Sequence, residues 1–319
     1  MAEAPAQTPE PRAFTAASLT EQEIETITEL VKYLAENSYA YDSHVQLINL
    51  LHKGFVAHVY GASDVVVNNP RDYNLLPDMR QAREAMDSRF AVGEDIWQDW
   101  INDEALLARK SEERVAVMDL CQKAVQDEPT SVKLWYLYGE WVMQTYSIAN
   151  GFTEGDPNVW TDIDKEICKE VFSREICLEV WERAVQATTW RIDESHLVWN
   201  RYIDLVLQEY PENPSPQAVQ HLNNIFIRRL EQPHSAWSDT SAKFWPIVSK
   251  FNASNWEEIM AATNEMAGPG KHEYAMRETH ELNLRRAADS GDTAALYNAF
   301  TEYLTWDRKN KRRSKCHFE

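Results

Sequence analysis

The sequence predicts an all-α protein, a right-handed α-solenoid of antiparallel helix pairs. Three observations carry that expectation. Glycine is scarce, at 9 of 319 residues, while Trp and Tyr together number 25; that balance suits helices better than turn-rich sheets. Apolar residues recur at three- and four-residue spacing along much of the chain, the period of a helix with one buried face. A Trp-x-x-aromatic pattern also returns several times, and self-similarity at a period of a few tens of residues marks a helical array.

Residues 1–18 (MAEAPAQTPEPRAFTAAS) are rich in Ala, Pro and polar side chains and are predicted to form a disordered tail. Thr20-Glu21-Gln22-Glu23 opens the first helix with the acidic first turn that a helix N-terminus favours. Ile24, Ile27, Leu30, Val31 and Leu34 continue it at helical spacing. A second helix is expected from about Asp42 to Phe55. Residues 56–76 contain Gly61 and Asn68-Asn69-Pro70 and close at Leu76-Pro77, so they read as a long loop insertion. A helix resumes near Asp78.

From residue 94 the chain falls into a two-helix unit, giving about five to six repeats over residues 19–308. First helices carry Trp97 and Trp100, Trp135 and Tyr138, Trp199 and Tyr202, with a weaker copy at Tyr297 and Phe300. Second helices carry "LCQKAV" (120–125), "VWERAV" (180–185) and, more loosely, "IFIRRL" (225–230). The steps from Trp97 to Trp135, Trp199 and Trp245 are 38, 64 and 46 residues. A second loop insertion at 147–160 (SIANGFTEGDPNVW) takes up much of the long step. Trp97, Trp100 and Glu104 fall within about 60° of one another around a helix, on one face. Ala124 and Ala184 are small residues that let paired helices approach, with an aromatic filling the space beside them. The aromatics therefore read as joints between helices rather than as a platform for a ligand.

Charge narrows the partners. The formal net charge is −19 and the pI about 4.9, which opposes strong binding to a phosphate backbone. One segment departs from this. Residues 307–319 (DRKNKRRSKCHFE) hold six Lys/Arg against two acids, leaving −23 on the other 306. Arg308, Lys309, Lys311, Arg312, Arg313 and Lys315 read either as a nuclear-localisation or phosphate-contacting patch or as the solvated start of a further helix.

Catalytic patterns are missing. There is no Gly-x-x-x-x-Gly-Lys-Ser/Thr, HExxH, GxSxG or GxGxxG string. Gly268-Pro269-Gly270-Lys271 lacks the spacing and hydroxyl of a phosphate loop and is expected to link two helices. His196, His221 and His280 lie within helical patterns and read as surface or hydrogen-bonded residues. Cys121, Cys168, Cys177 and Cys316 form no CxxC pair and read as thiols of a reducing compartment. No apolar h-region stands near residue 1 and no apolar run approaches 18 residues, so neither a signal peptide nor a membrane span is expected. No enzymatic activity, cofactor, metal, small-molecule substrate or membrane contact is expected.

The repeat resembles the half-a-TPR (HAT) motif, a variant of the tetratricopeptide (TPR) unit. The first helix of that motif reads Trp-x-x-Tyr-x-x-x-Glu, and its second reads Arg-x-x-(Phe/Tyr)-Glu-Arg-Ala-Leu. Trp97, Trp100 and Glu104 fit the first pattern with Trp for Tyr. Trp181, Glu182, Arg183, Ala184 and Val185 resemble the second. Val142 and Val206 stand where the motif prefers Glu. "YAYDSHVQLINLLHKG" (39–54), "MRQAREAMDSRF" (79–90), "EDIWQDWINDE" (94–104), "ETHELNLRRAADSGD" (278–292) and "YNAFTEYLTWD" (297–307) narrow the resemblance further. They are similar to the U4/U6 snRNA annealing and recycling splicing factors, the family of the human tumour antigen recognised by T cells and the fungal U6 snRNA-binding factor.

That resemblance implies a nuclear, non-catalytic scaffold holding protein partners in a spliceosomal RNP, with U6 or U4/U6 snRNA contacted indirectly or weakly. In that family RNA-recognition motifs and an Lsm-binding motif follow the HAT array, and neither is present here. Residues 309–319 then read as the start of the next helix, and the chain as a fragment of a longer protein. The alternative is a HAT or TPR scaffold in mRNA 3′-end processing, or in another RNP or chaperone complex.

Overall fold

The computed structural model describes residues 14–208 and 210–310, and among these all regular structure is helical. The chain divides into two compact units, the first through Ser173 and the second from Arg174. Most of the expected tail, residues 1–13, lies outside the described residues.

The first unit holds α1 (Glu21–Glu36), α2 (Tyr41–Tyr60), α3 (Leu76–Asp87), α4 (Glu94–Leu107), α5 (Ser111–Asp127), α6 (Val132–Ala149) and α7 (Asp162–Val171). Thr20 caps α1 in a capping box: its hydroxyl accepts from the Glu23 amide while the Glu23 carboxylate accepts from the Thr20 amide. Residues 108–110 and 128–131 reverse the chain between α4, α5 and α6, so sequential helices run antiparallel. Besides its sequential neighbour, α4 packs on α6 and α5 packs on α7. These alternate contacts produce two layers of stacked helices, the arrangement of a helical repeat.

Three boundaries differ from expectation. Helix α2 runs on to Tyr60 rather than ending near Phe55, because Phe55 and Val59 are both fully buried and keep the helical period. It stops at Gly61, whose φ of 59° lies in the left-handed region open to glycine. Pro77 sits in the first turn of α3, a favoured place for proline, so the expected loop ends earlier. The expected insertion at 147–160 is helix α6 as far as Ala149, and the long step from Trp135 to Trp199 also contains α7. The Thr161 hydroxyl caps α7, and Cys168 and Phe172 bury its inner face.

The second unit holds α8 (Arg174–Ala187), α9 (His196–Gln208), α10 (Pro216–Glu231), α11 (Trp237–Phe251), α12 (Trp256–Asp289) and α13 (Thr293–Asn310). Packing joins α8 to α9, α10 to α11 and α12, and α12 to α13. The loop expected at Gly268-Pro269-Gly270-Lys271 is not there: α12 runs straight through it for 34 residues. Proline costs a helix one internal hydrogen bond, but tertiary packing holds this one. A Cβ on Gly270 would sit 2.3 Å from the Glu231 carbonyl oxygen at the end of α10. Glycine at 270 thus permits a close crossing of α12 over α10. Lys271 places its ammonium 3.7 Å from the Trp237 ring centroid, a cation–π contact that anchors the same turn.

Candidate interaction surface

The Trp pair that opens the repeat is internal. Trp97 is 0% exposed and Trp100 5%, and their rings stack at 5.0 Å with 5° between planes. The Trp97 indole N–H donates to Asp127 Oδ2 at 2.7 Å, and that oxygen also accepts the Val92 amide at 2.9 Å. One carboxylate at the end of α5 therefore fixes both the entry to α4 and its leading aromatic. Ala124 is fully buried in α5. Below the pair, Arg83 of α3 is completely buried and donates to Asp103 Oδ2 at 2.6 Å, while His52 Nδ1 of α2 lies 2.9 Å from the same oxygen. This ion pair ties three helices together.

Above the pair lies a groove of about 560 Å³ between α3, α4 and α5. Trp100, Leu76, Leu107, Val117 and Leu120 supply its apolar lining. Two arginine–glutamate pairs edge it. Arg80 grips Glu104 through both carboxylate oxygens at 2.7 and 2.6 Å, the bidentate geometry that fits guanidinium to carboxylate. Arg71 donates to Glu113 Oε2 at 2.5 Å and to the Leu107 carbonyl at 2.7 Å. Burial alone would raise the Glu113 carboxyl. Hydrogen bonds from Arg71 and from the Arg109 and Lys110 amides outweigh it and bring the pKa down to about 2. An apolar slot with charged pairs at its rim fits a protein segment that presents an apolar side chain between polar groups. The expected motif residue Glu104 is thus spent on an arginine of the preceding helix.

The other singled-out residues divide by unit. Trp135 and Tyr138 are buried and stack at 6.1 Å, and the Trp135 indole donates to the Pro129 carbonyl at 2.8 Å. In the second unit Trp181, Ala184, Trp199 and Tyr202 are buried. Glu182 meets Arg228 at 3.5 Å, and Arg183 is half-buried. Trp245 is only half-buried; its neighbour Phe244 is the fully buried ring of α11, stacked on Phe226 at 5.0 Å. Tyr297 and Phe300 are 70% and 50% exposed, so among the described residues this weaker copy closes no helix pair. Helix α13 instead meets α12 through Tyr303 and Trp306, which pack on His280 at 5.0 and 4.8 Å. Arg308 and Lys309 are exposed in the last turn of α13. Lys311, Arg312, Arg313 and Lys315 lie outside the described residues.

Sequence reasoning passed over Arg71, Arg80, Arg83, Asp103 and Asp127. Each looks like an ordinary surface charge in a hydropathy pattern. The available signal was position: Asp103 and Arg83 fall on the apolar faces of α4 and α3.

No protein-family model matches the chain. It is 24% identical over 230 residues to the human protein "Spliceosome associated factor 3, U4/U6 recycling protein", covering 65% of this chain and 20% of that protein. The Danio rerio protein of the same description is 30% identical over 101 residues, covering 32% of this chain and 9% of the relative. The chain spans about a fifth of the length of the human relative. Over much of its length it is therefore similar to one segment of the spliceosomal U4/U6 recycling proteins.

Proposed function

We propose that this chain is a HAT-type helical scaffold of a nuclear pre-mRNA splicing factor, acting without catalysis by holding protein partners during U4/U6 snRNP assembly and recycling. The observation that carries the reading is the similarity to the U4/U6 recycling proteins. The stacked two-layer packing of α4 to α7 supports it, since repeated helix pairs present extended side-chain surfaces. The groove above Trp100 is the proposed contact for a segment of a protein partner.

RNA is assigned a secondary role in this chain. The charge of −23 outside residues 307–319 opposes a phosphate backbone. Trp97, Trp100, Trp135, Trp181 and Trp199 are buried in helix joints, whereas stacking on bases needs exposed ring faces. In this reading snRNA pairing is handled by RNA-binding modules outside these 319 residues.

A gel-shift titration tests the division of labour. The full chain is expected to bind protein-free U6 snRNA only weakly at about 0.15 M salt. Tight, salt-sensitive binding that disappears in the double variant Arg312→Glu, Arg313→Glu would overturn the protein-scaffold reading in favour of direct RNA recognition.

A further inference from the structure

Arg229 lies in the last turn of α10 and is 0% exposed. One of its nitrogens, Nη1, donates to Ser195 Oγ at 3.1 Å. Its Nε and Nη2 have no hydrogen-bond partner among the described residues. Among the described residues no carboxylate pairs with it, and burial pushes its pKa down to about 9. Its guanidinium lies 5.4 Å from the Trp199 ring centroid, a contact that eases a buried cation without neutralising it.

A second buried group feels the charge of Arg229. His234 is 1% exposed, and neither ring nitrogen has a partner among the described residues. Burial, then Arg229 and His196, push its pKa down to about 2. The Trp199 indole N–H likewise has no partner among the described residues. The segment holding His234 is fixed, because the Ser235 amide donates to the Ile192 carbonyl at 2.9 Å and the Ser235 hydroxyl to the Asp193 carbonyl at 2.9 Å. Ser195 immediately precedes α9 and His234 lies within one turn of the start of α11. The Ser195 hydroxyl that Arg229 contacts thus sits at the amino end of α9, which carries partial positive charge.

This neighbourhood holds hydrogen-bond donors with no acceptor to take them. Buried donors are almost always satisfied, and a buried cation is almost always paired. We propose that Arg229, His234 and Ser195 enclose a binding site for one small inorganic anion of chloride size. In such a site the free Arg229 N–H groups and one His234 N–H would donate to the anion. The Ser195 hydroxyl, which already accepts from Arg229, has its own proton left to give. The three residues are at most 1% exposed, so a partner's carboxylate or an RNA phosphate, each tethered to a chain, does not reach the site.

The anion would neutralise the arginine beneath the turn that joins α10 to α11. That turn also carries the Glu231 carbonyl against which Gly270 of α12 packs. Occupancy therefore stabilises the crossing of three helices.

Calorimetry on the full chain tests this, with chloride replacing gluconate at constant ionic strength. The wild-type chain is expected to gain about 2–4 °C in Tm, saturating with chloride. Arg229→Met is expected to lose the saturable gain, and Ser195→Ala to need more chloride for half of it. An unchanged wild-type Tm, or a gain of equal size in Arg229→Met, would overturn the proposal. Crystals soaked in bromide supply a reading that needs no variant. An anomalous peak within hydrogen-bonding distance of Arg229 and His234 is expected, and a site with no anomalous signal would contradict it.

Discussion

Arg83 and Arg114 in the first unit and Arg229 in the second are each at most 1% exposed, yet among the described residues only the first two face a carboxylate. Arg83 has Asp103 at 2.6 Å. Arg114 has Asp164 at 3.9 Å, donates to the Val159 carbonyl at 2.8 Å and lies 3.5 Å from the Trp160 ring centroid. Arg229 has a serine and an indole face. A buried charge is tolerable only when its surroundings replace the water it has lost. In the first unit the replacement is part of the chain, and it ties helices together. At Arg229 the described residues of the second unit supply donors and no acid, so under the anion proposal ions in solution contribute to the stability of the fold.

Removing the answering charge is the largest way to break this contrast. Asp103→Ala leaves Arg83 buried and unanswered, and a loss of about 3–5 kcal/mol in urea denaturation is expected. A loss below about 1 kcal/mol would mean that Arg83 finds water or another acceptor.

The aromatic joints give a second comparison between the units. Trp97→Ala removes a fully buried ring and its bond to Asp127, with an expected cost of about 3–5 kcal/mol. Trp245→Ala in the second unit should cost less than half as much, because Phe244 holds the buried position there. Equal losses in denaturant titrations would show that Trp245 is also a joint.

Two pH profiles sharpen the electrostatic part. His234 has its folded pKa pushed down from 6.5 to about 2, chiefly by burial. Above about 6.5 it is neutral in both states and contributes no pH dependence. Below that, the unfolded chain takes up a proton that the folded one refuses. Stability should therefore fall with pH by up to about 1.4 kcal/mol per unit from this residue, and the slope should flatten in His234→Gln. An unchanged slope in the variant would place the titration elsewhere. Glu113 is the smallest case. Its folded pKa of about 2 lies below its ordinary value of 4.5. Its contribution is present above 4.5 and lost as pH falls toward 2. The Glu113 side chain is 37% exposed, so solvent screening holds the effect of Glu113→Gln near neutral pH to under about 1 kcal/mol.

The all-α class and the shared face of Trp97, Trp100 and Glu104 were legible because helical periodicity is a local property. In the sequence Gly61 reads as part of a loop beginning at residue 56, whereas the helix continues to Tyr60 before it. What was not legible depends on residues far apart in sequence. Spacing places Glu104 on the face of Trp97 and Trp100, but it does not point to its partner Arg80, 24 positions earlier. Arg83, Arg114 and Arg229 do not stand out, because even where position on an apolar face hints at burial, as for Arg83, the sequence does not show what answers the charge. Gly268-Pro269-Gly270-Lys271 carries the local signature of a break, and only the close approach of α10 explains a helix there. Tyr297 and Phe300 repeat the spacing of the joints yet lie exposed, because spacing alone does not provide a partner.

The scaffold reading is tested most directly by capture from nuclear extract with the immobilised full chain. U4 and U6 snRNAs and their snRNP proteins would be quantified against an equally acidic helical-repeat control, with and without nuclease. Expected is enrichment of both snRNAs together with snRNP proteins, the protein fraction surviving nuclease. Recovery no better than the control, or retention of snRNP proteins only while RNA is intact, would contradict it.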